Sequence, residues 1–112
     1  MLKEILNELK LDNQPLYEMA NIKPIHTGLP VTVWVSIKFE NHKPRIKVMN
    51  EDCKVSILIS DDPEVLVGNC KTNKILKKVF KWVKLNKNTL LDFWNDKIDT
   101  IDLANNLKSL KN

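Results

Sequence analysis

A chain of 112 residues with 43% hydrophobic and 29% charged content is long enough for one modest core and has the balance of a folded globular domain, which excludes wholesale disorder and a second domain. Eighteen basic against fourteen acidic side chains give a formal net charge of +4, and the excess is local, because residues 71–87 hold seven lysines and no acid. No apolar run approaches the roughly 20 residues that cross a bilayer, and Met1–Glu8 mixes acids with its apolar residues where a signal peptide would have an uninterrupted apolar core. A cytoplasmic protein with no membrane partner is therefore expected.

The chain opens on Leu2, Ile5, Leu6 and Leu9 at helical spacing, with Lys3, Glu4, Glu8 and Lys10 elsewhere on the wheel, which predicts a short amphipathic helix over 2–11. Its apolar stripe either completes the domain's own core or offers an interface to another chain. Asp12-Asn13-Gln14-Pro15 breaks the helix, and Ile22–Pro30, with two prolines and a glycine, reads as an irregular connector.

Val31, Val33, Val35, Ile37 and Phe39 then alternate with Thr32, Trp34, Ser36 and Lys38, the signature of a strand with one buried face. Trp34 falls on the second face, where it needs cover or a partner. After the turn Glu40–Lys43, Arg45–Met49 forms a second strand with Ile46 and Val48 pointing together. Asn50-Glu51-Asp52 turns into a third, carrying Val55, Ile57 and Ile59. Such short connections favour an antiparallel meander. Val65-Leu66-Val67, ahead of Gly68, adds a fourth strand at an edge.

From Asn73, read as an N-cap, the period changes to that of a helix. Ile75, Leu76, Val79, Phe80, Val83, Leu90, Leu91, Phe93 and Trp94 share one arc of the wheel with Trp82 at its border. Lys71, Lys74, Lys77, Lys78, Lys81 and Lys84 fall in the opposite arc. One long amphipathic helix over 73–95 is predicted, its apolar side on the sheet. A last helix starts at Asp99 or Thr100, with Ile101, Leu103, Ala104, Leu107 and Leu110 as apolar positions. The expected fold is α+β: one domain over 1–112, with a three- or four-stranded, mostly antiparallel sheet covered by the long helix and short helices at each end.

Much chemistry is excluded. With Gly28 and Gly68 as the chain's two glycines, neither a P-loop nor a dinucleotide fingerprint can be built. Cys53, Cys70, His26 and His42 lack the paired short spacings of a zinc site, so no metal and no cofactor are expected. The cysteines read as small, partly buried thiols and not as a disulfide. Asp61-Asp62 and Glu51-Asp52 read as turn acids. Cys53 or Ser36 with His42 would make a nucleophile and base, and His42, Arg45, Lys47 and Tyr17 supply the residue types of a small metal-free ribonuclease. Neither set carries a local signature.

The lysine arc would create a positive field able to attract an acidic partner. Its bland alternative is a solvated helix face. Seventeen lysines against one arginine, with thirteen asparagines, suit an AT-rich coding sequence, and the arc lacks arginine's bidentate fork for bases or phosphates. Phe80, Trp82, Phe93 and Trp94 belong on or beside the apolar arc, which leaves a thin platform for stacking single-stranded bases.

Three segments together carry a resemblance: "ANIKPIHTGLPVTVWVS" from Ala20, His42-Lys43-Pro44-Arg45-Ile46-Lys47-Val48, and "WVKLNKNTLLDFWNDKIDTIDLANNLKSL" from Trp82. In this order they resemble a family of small uncharacterised bacterial proteins, itself similar to domains that occur in toxin–antitoxin-like gene pairs. The resemblance covers Met19 onward and implies a compact α+β core over 19–112, with residues 1–18 as an addition. It implies no catalytic residue, and its polar matches are His42, Arg45 and Lys47. Lys43 stands where the family commonly has an acid, and Pro44 removes a backbone donor at the strand start.

The expected function is a non-enzymatic binding protein that engages another macromolecule, a protein before a nucleic acid, in a toxin–antitoxin-like or counter-defence setting. The surfaces are the lysine arc and the stripe of Leu2, Ile5, Leu6 and Leu9 with Trp34. The alternative is a small ribonuclease-type toxin or a non-catalytic nucleic-acid binder.

Overall fold

Runs of β-branched residues separated by tight turns build an antiparallel sheet of five strands in chain order: β1 (Ala20–Ile22), β2 (Thr32–Val35), β3 (Arg45–Met49), β4 (Cys53–Leu58) and β5 (Val65–Cys70). The computed structural model describes residues 19–39 and 41–110. The helix expected over 2–11, with Leu2, Ile5, Leu6 and Leu9, lies outside the described residues, as does Tyr17.

Strand register sorts the side chains into two faces. Val33, Val48 and Val55 stand in one cross-strand row and Val35, Ile46 and Ile57 in the next, and all six are fully buried. Against this apolar face lies the long helix α2 (Asn73–Trp94), which sends Val79, Trp82, Val83, Leu90 and Phe93 into the same core. Each fully buried Val, Leu, Ile or Phe side chain contributes roughly 1.5–3 kcal/mol over its exposed state. Trp82, at the border of the arc on the wheel, is 0% exposed: the sheet reaches further round the helix than the wheel alone suggests. The α+β class is the one the periodicities predict.

Five strands replace the expected three or four: the connector expected over Ile22–Pro30 takes in the last residue of β1, and Ala20-Asn21 carries no strand signal of its own. Three residues are too few to show alternation; the pairing Ala20↔Val35, Asn21↔Trp34 and Ile22↔Val33 makes β1 a strand. The connector that follows contains a helical turn, α1 (Pro24–Thr27). Pro24 occupies a first-turn position, where its missing N–H costs nothing, and Gly28, at φ 76°, closes the turn by donating its N–H to the Pro24 carbonyl at 2.8 Å. Prolines that would break a long helix here start a short one.

Thr72 and not Asn73 precedes the first turn of α2, and its side chain makes no capping bond. The last helix, α3 (Thr100–Asn106), starts where expected: Asp99 Oδ1 accepts from the Asp102 N–H at 2.8 Å, and the Asp102 carboxylate accepts from the Asp99 N–H at 3.4 Å, a capping box. Leu103 goes into the core while Ile101 is 69% exposed.

Candidate binding surface

Because α2 buries one side against the sheet, its other side faces outward. Lys74, Lys77, Lys81 and Lys84 are exposed there and Lys78 is half-buried. Lys71, placed on the wheel with them, instead sits in the turn before the helix, with its N–H donated to the Asp52 carbonyl at 2.7 Å and its side chain exposed. At a rise of 1.5 Å per residue the lysines from 74 to 84 span about 15 Å. Among the described residues none of the six meets a carboxylate within ion-pair distance; the ion pair on this helix is that of Lys87 with Asp61, at 2.9 Å. Lys74–Lys78 and Lys77–Lys81 are four apart and Lys74–Lys77, Lys78–Lys81 and Lys81–Lys84 three apart. Each such pair costs an isolated helix roughly 0.2–0.5 kcal/mol. The apolar side of α2 stabilises the helix despite this repulsion, so the charge is held in a fixed array.

The sheet's second face is polar. Trp34, Lys47 and Ser56 stand in one cross-strand row, with Arg45 next to Lys47 on that side of β3 and Ser36 one residue past the end of β2. Lys47 and Ser56 are 0% exposed and Arg45 8%, and none of the three is without a partner. The Arg45 Nε donates to the Lys43 carbonyl at 3.0 Å. Trp34 is half-buried, and its indole N–H, like the buried Ser36 hydroxyl, has no hydrogen-bond partner among the described residues. His42 lies in the β2–β3 connection, half-buried, with its ring edge-on to Phe39 at a centroid distance of 5.2 Å. The fold therefore brings Arg45, Lys47 and Trp34 together in the sheet and leaves His42 in the turn.

The cysteines correct the sequence reading. Cys53 and Cys70 face each other across β4 and β5 and form a disulfide. The Lys71 N–H bond to Asp52 makes Cys53↔Cys70 a non-hydrogen-bonded pair, the antiparallel position where Cα atoms come closest; here they are 3.9 Å apart. A separation of 17 residues gives no hint of this, because it depends on how the β4–β5 hairpin is registered.

Two further features were silent in the sequence. Asn86, on α2, is 3% exposed: its Nδ2 donates to the carbonyls of Trp82, at 3.1 Å, and Lys108, at 2.9 Å. A cleft of about 530 Å³ lies between β1, α1 and the α3 end of the chain, lined by Asn21, Ile22, His26, Asn105, Leu107 and Ser109 among others. His26 is exposed there and no acid is among these residues. Among the described residues no group of three or more His, Cys, Asp or Glu side chains could hold a metal ion, and no helix is long and apolar enough to cross a membrane.

A family model described as a domain of unknown function (DUF4160) matches residues 33–95, from β2 to the residue after α2. That span contains His42, Arg45, Lys47, both cysteines and the whole lysine array; β1, α1 and α3 lie outside it. No curated protein and no solved structure matches the chain.

Proposed function

This chain belongs to the DUF4160 family, and we propose that it acts as a non-enzymatic binding protein whose lysine array on α2 docks an acidic surface of another protein. The observation that carries this reading is a set of lysines held outward on a helix packed on its other side, with no carboxylate of the described residues neutralising them. An acidic partner would set opposite charges beside the five like-charge neighbour pairs, so their mutual repulsion in the free protein is offset in the complex. Lysine suits such a surface as a set of mobile point charges, since matching an acidic patch needs no bidentate fork. The setting we propose is a toxin–antitoxin-like or counter-defence pair in which the protein binds and restrains its counterpart.

The test is affinity purification of the tagged full-length protein from its host, with protein and nucleic acid in the eluate both identified, beside a Lys74→Glu/Lys78→Glu/Lys81→Glu variant. One acidic protein, recovered stoichiometrically with the native chain and lost from the variant, is the expected result. Nucleic acid in its place, bound with steep salt dependence, or a partner that the variant retains, refutes the reading. His42→Ala should leave the interaction intact.

A further inference from the structure

The two edges of the sheet are built differently. β1 offers three residues and runs into Lys23-Pro24, a short edge closed by a proline. β5 offers six, Val65–Cys70, with neither lysine nor proline among them, and Val65 and Val67 are 37% and 39% exposed. Its ends are fastened to β4 by the Leu58 N–H on the Glu64 carbonyl, at 2.9 Å, and the Lys71 N–H on the Asp52 carbonyl. Those two bonds make Ile57↔Val65 and Cys53↔Cys70 non-hydrogen-bonded pairs, and alternation adds Val55↔Gly68. The backbone N–H and C=O groups of Val65, Gly68 and Cys70 therefore point away from β4, toward a side that no strand of the described residues occupies.

Charge along this edge is ordered. Asp61, Asp62 and Glu64 stand before the strand and Lys71 and Lys74 after it, all exposed. Antiparallel pairing of this strand with itself brings the acidic end of one copy (Asp61, Asp62, Glu64) to the lysine end of the other (Lys71, Lys74), at both ends of the contact. Parallel pairing would set like against like.

We propose that β5 is the contact through which two copies of this chain associate, edge to edge and antiparallel, joining two five-stranded sheets into one. Such an interface is isologous: the same residues serve both sides and the symmetry closes at two. Gly68, at φ 86°, sits at the axis; the side-chain position it leaves empty lies against the Lys54 backbone of β4 and not on the outer side. The extra residue on β5 opposite Ser56/Ile57 bends the strand, so the shared ladder is short and stays close to Gly68. A short ladder with charged ends makes a concentration-dependent dimer, not an obligate one. The inference is independent of the lysine array's partner.

The experiment is sedimentation velocity on the oxidised full-length chain from low micromolar to near-millimolar concentration, in low salt. Alongside it run Asp62→Lys/Glu64→Lys, Lys71→Glu/Lys74→Glu, and the combination of all four. Each double variant, facing its own copy, now has like charges at both ends and should weaken dimerisation by roughly 10- to 100-fold. The fourfold variant reverses the charge order and should restore it. All these side chains are exposed, and circular dichroism checks that the variants fold. A native chain that stays monomeric throughout overturns the proposal. So does a dimer that the double variants leave unchanged, or one that the fourfold variant fails to restore.

Discussion

Asn86 reads the backbone of Lys108 as a neighbouring strand would: its Oδ1 accepts the Lys108 N–H at 2.7 Å while its Nδ2 donates to the Lys108 carbonyl at 2.9 Å. One buried side chain on α2 thus ties down the segment after α3, across 22 residues of sequence. The same segment is held a second time by the Leu110 N–H on the Thr27 carbonyl, at 2.7 Å. Three hydrogen bonds from two elements, α2 and α1, explain why a stretch with no regular structure has a defined course.

Removing the amide leaves two backbone groups without partners. Asn86→Ala should cost about 1–3 kcal/mol, since two part-buried bonds to Lys108 are lost and each contributes roughly 0.5–1.5 kcal/mol. Urea denaturation measures it, with Asn106→Ala, an exposed change at the end of α3, expected within about 0.5 kcal/mol of the native protein. Equal effects from both would show that the Asn86 bridge contributes nothing.

Gly28 supports the other tether. Its φ of 76° is poorly tolerated by residues with a side chain, and a Cβ there would meet the Leu110 carbonyl oxygen and the Ser109 hydroxyl. Gly28→Ala should destabilise by about 1–3 kcal/mol. Faster amide hydrogen exchange at Leu110 should accompany it, since the obstruction pushes apart the groups that make that bond.

The disulfide closes the β4–β5 hairpin over a separation of 17 residues. Loop-closure entropy for a ring of that size is worth about 3 kcal/mol. Reduction, or Cys53→Ser with Cys70→Ser, should lower the urea midpoint accordingly, and intact mass should fall by two hydrogens on oxidation. An unchanged midpoint would count against the linkage as a source of stability.

Charge reversal on α2 should behave oppositely to these core changes. Lys74→Glu, Lys78→Glu and Lys81→Glu replace like-charge neighbours at Lys77 and Lys84 with opposite ones, so the melting temperature should hold or rise slightly. Thermal melting checks this. A large fall would mean that these lysines hold the fold together, and loss of binding in the same variant could not then be assigned to the surface.

The long helix was legible to within a residue, since nine apolar positions at period 3.6 opposite a run of lysines admit one packing. So were the existence of the central strands and the start of α3, from Asp99 and Asp102, but the alternation over Val31–Phe39 overran β2, which ends at Val35 and leaves Ile37 47% exposed. β1 was not legible, because Ala20–Ile22 is a strand only by virtue of lying beside Val33–Val35. Nor was the turn Pro24–Thr27, where proline's fixed φ serves equally to end one helix or begin another.

For the candidate surface, sequence alone determined which residues would form a one-sided basic array: Lys74 to Lys84 share a helix face because the helical period is a local property of the chain. Lys71 escaped that rule because the helix begins two residues after it. Tertiary structure alone decided that Arg45 and Lys47 are buried on the second face of the sheet, that Cys53 meets Cys70, that Asn86 is a bridge, and that β5 is the last strand of the sheet among the described residues. Those facts depend on which strands are neighbours and in what register, and register is set by contacts between residues far apart in the chain, which no local period encodes.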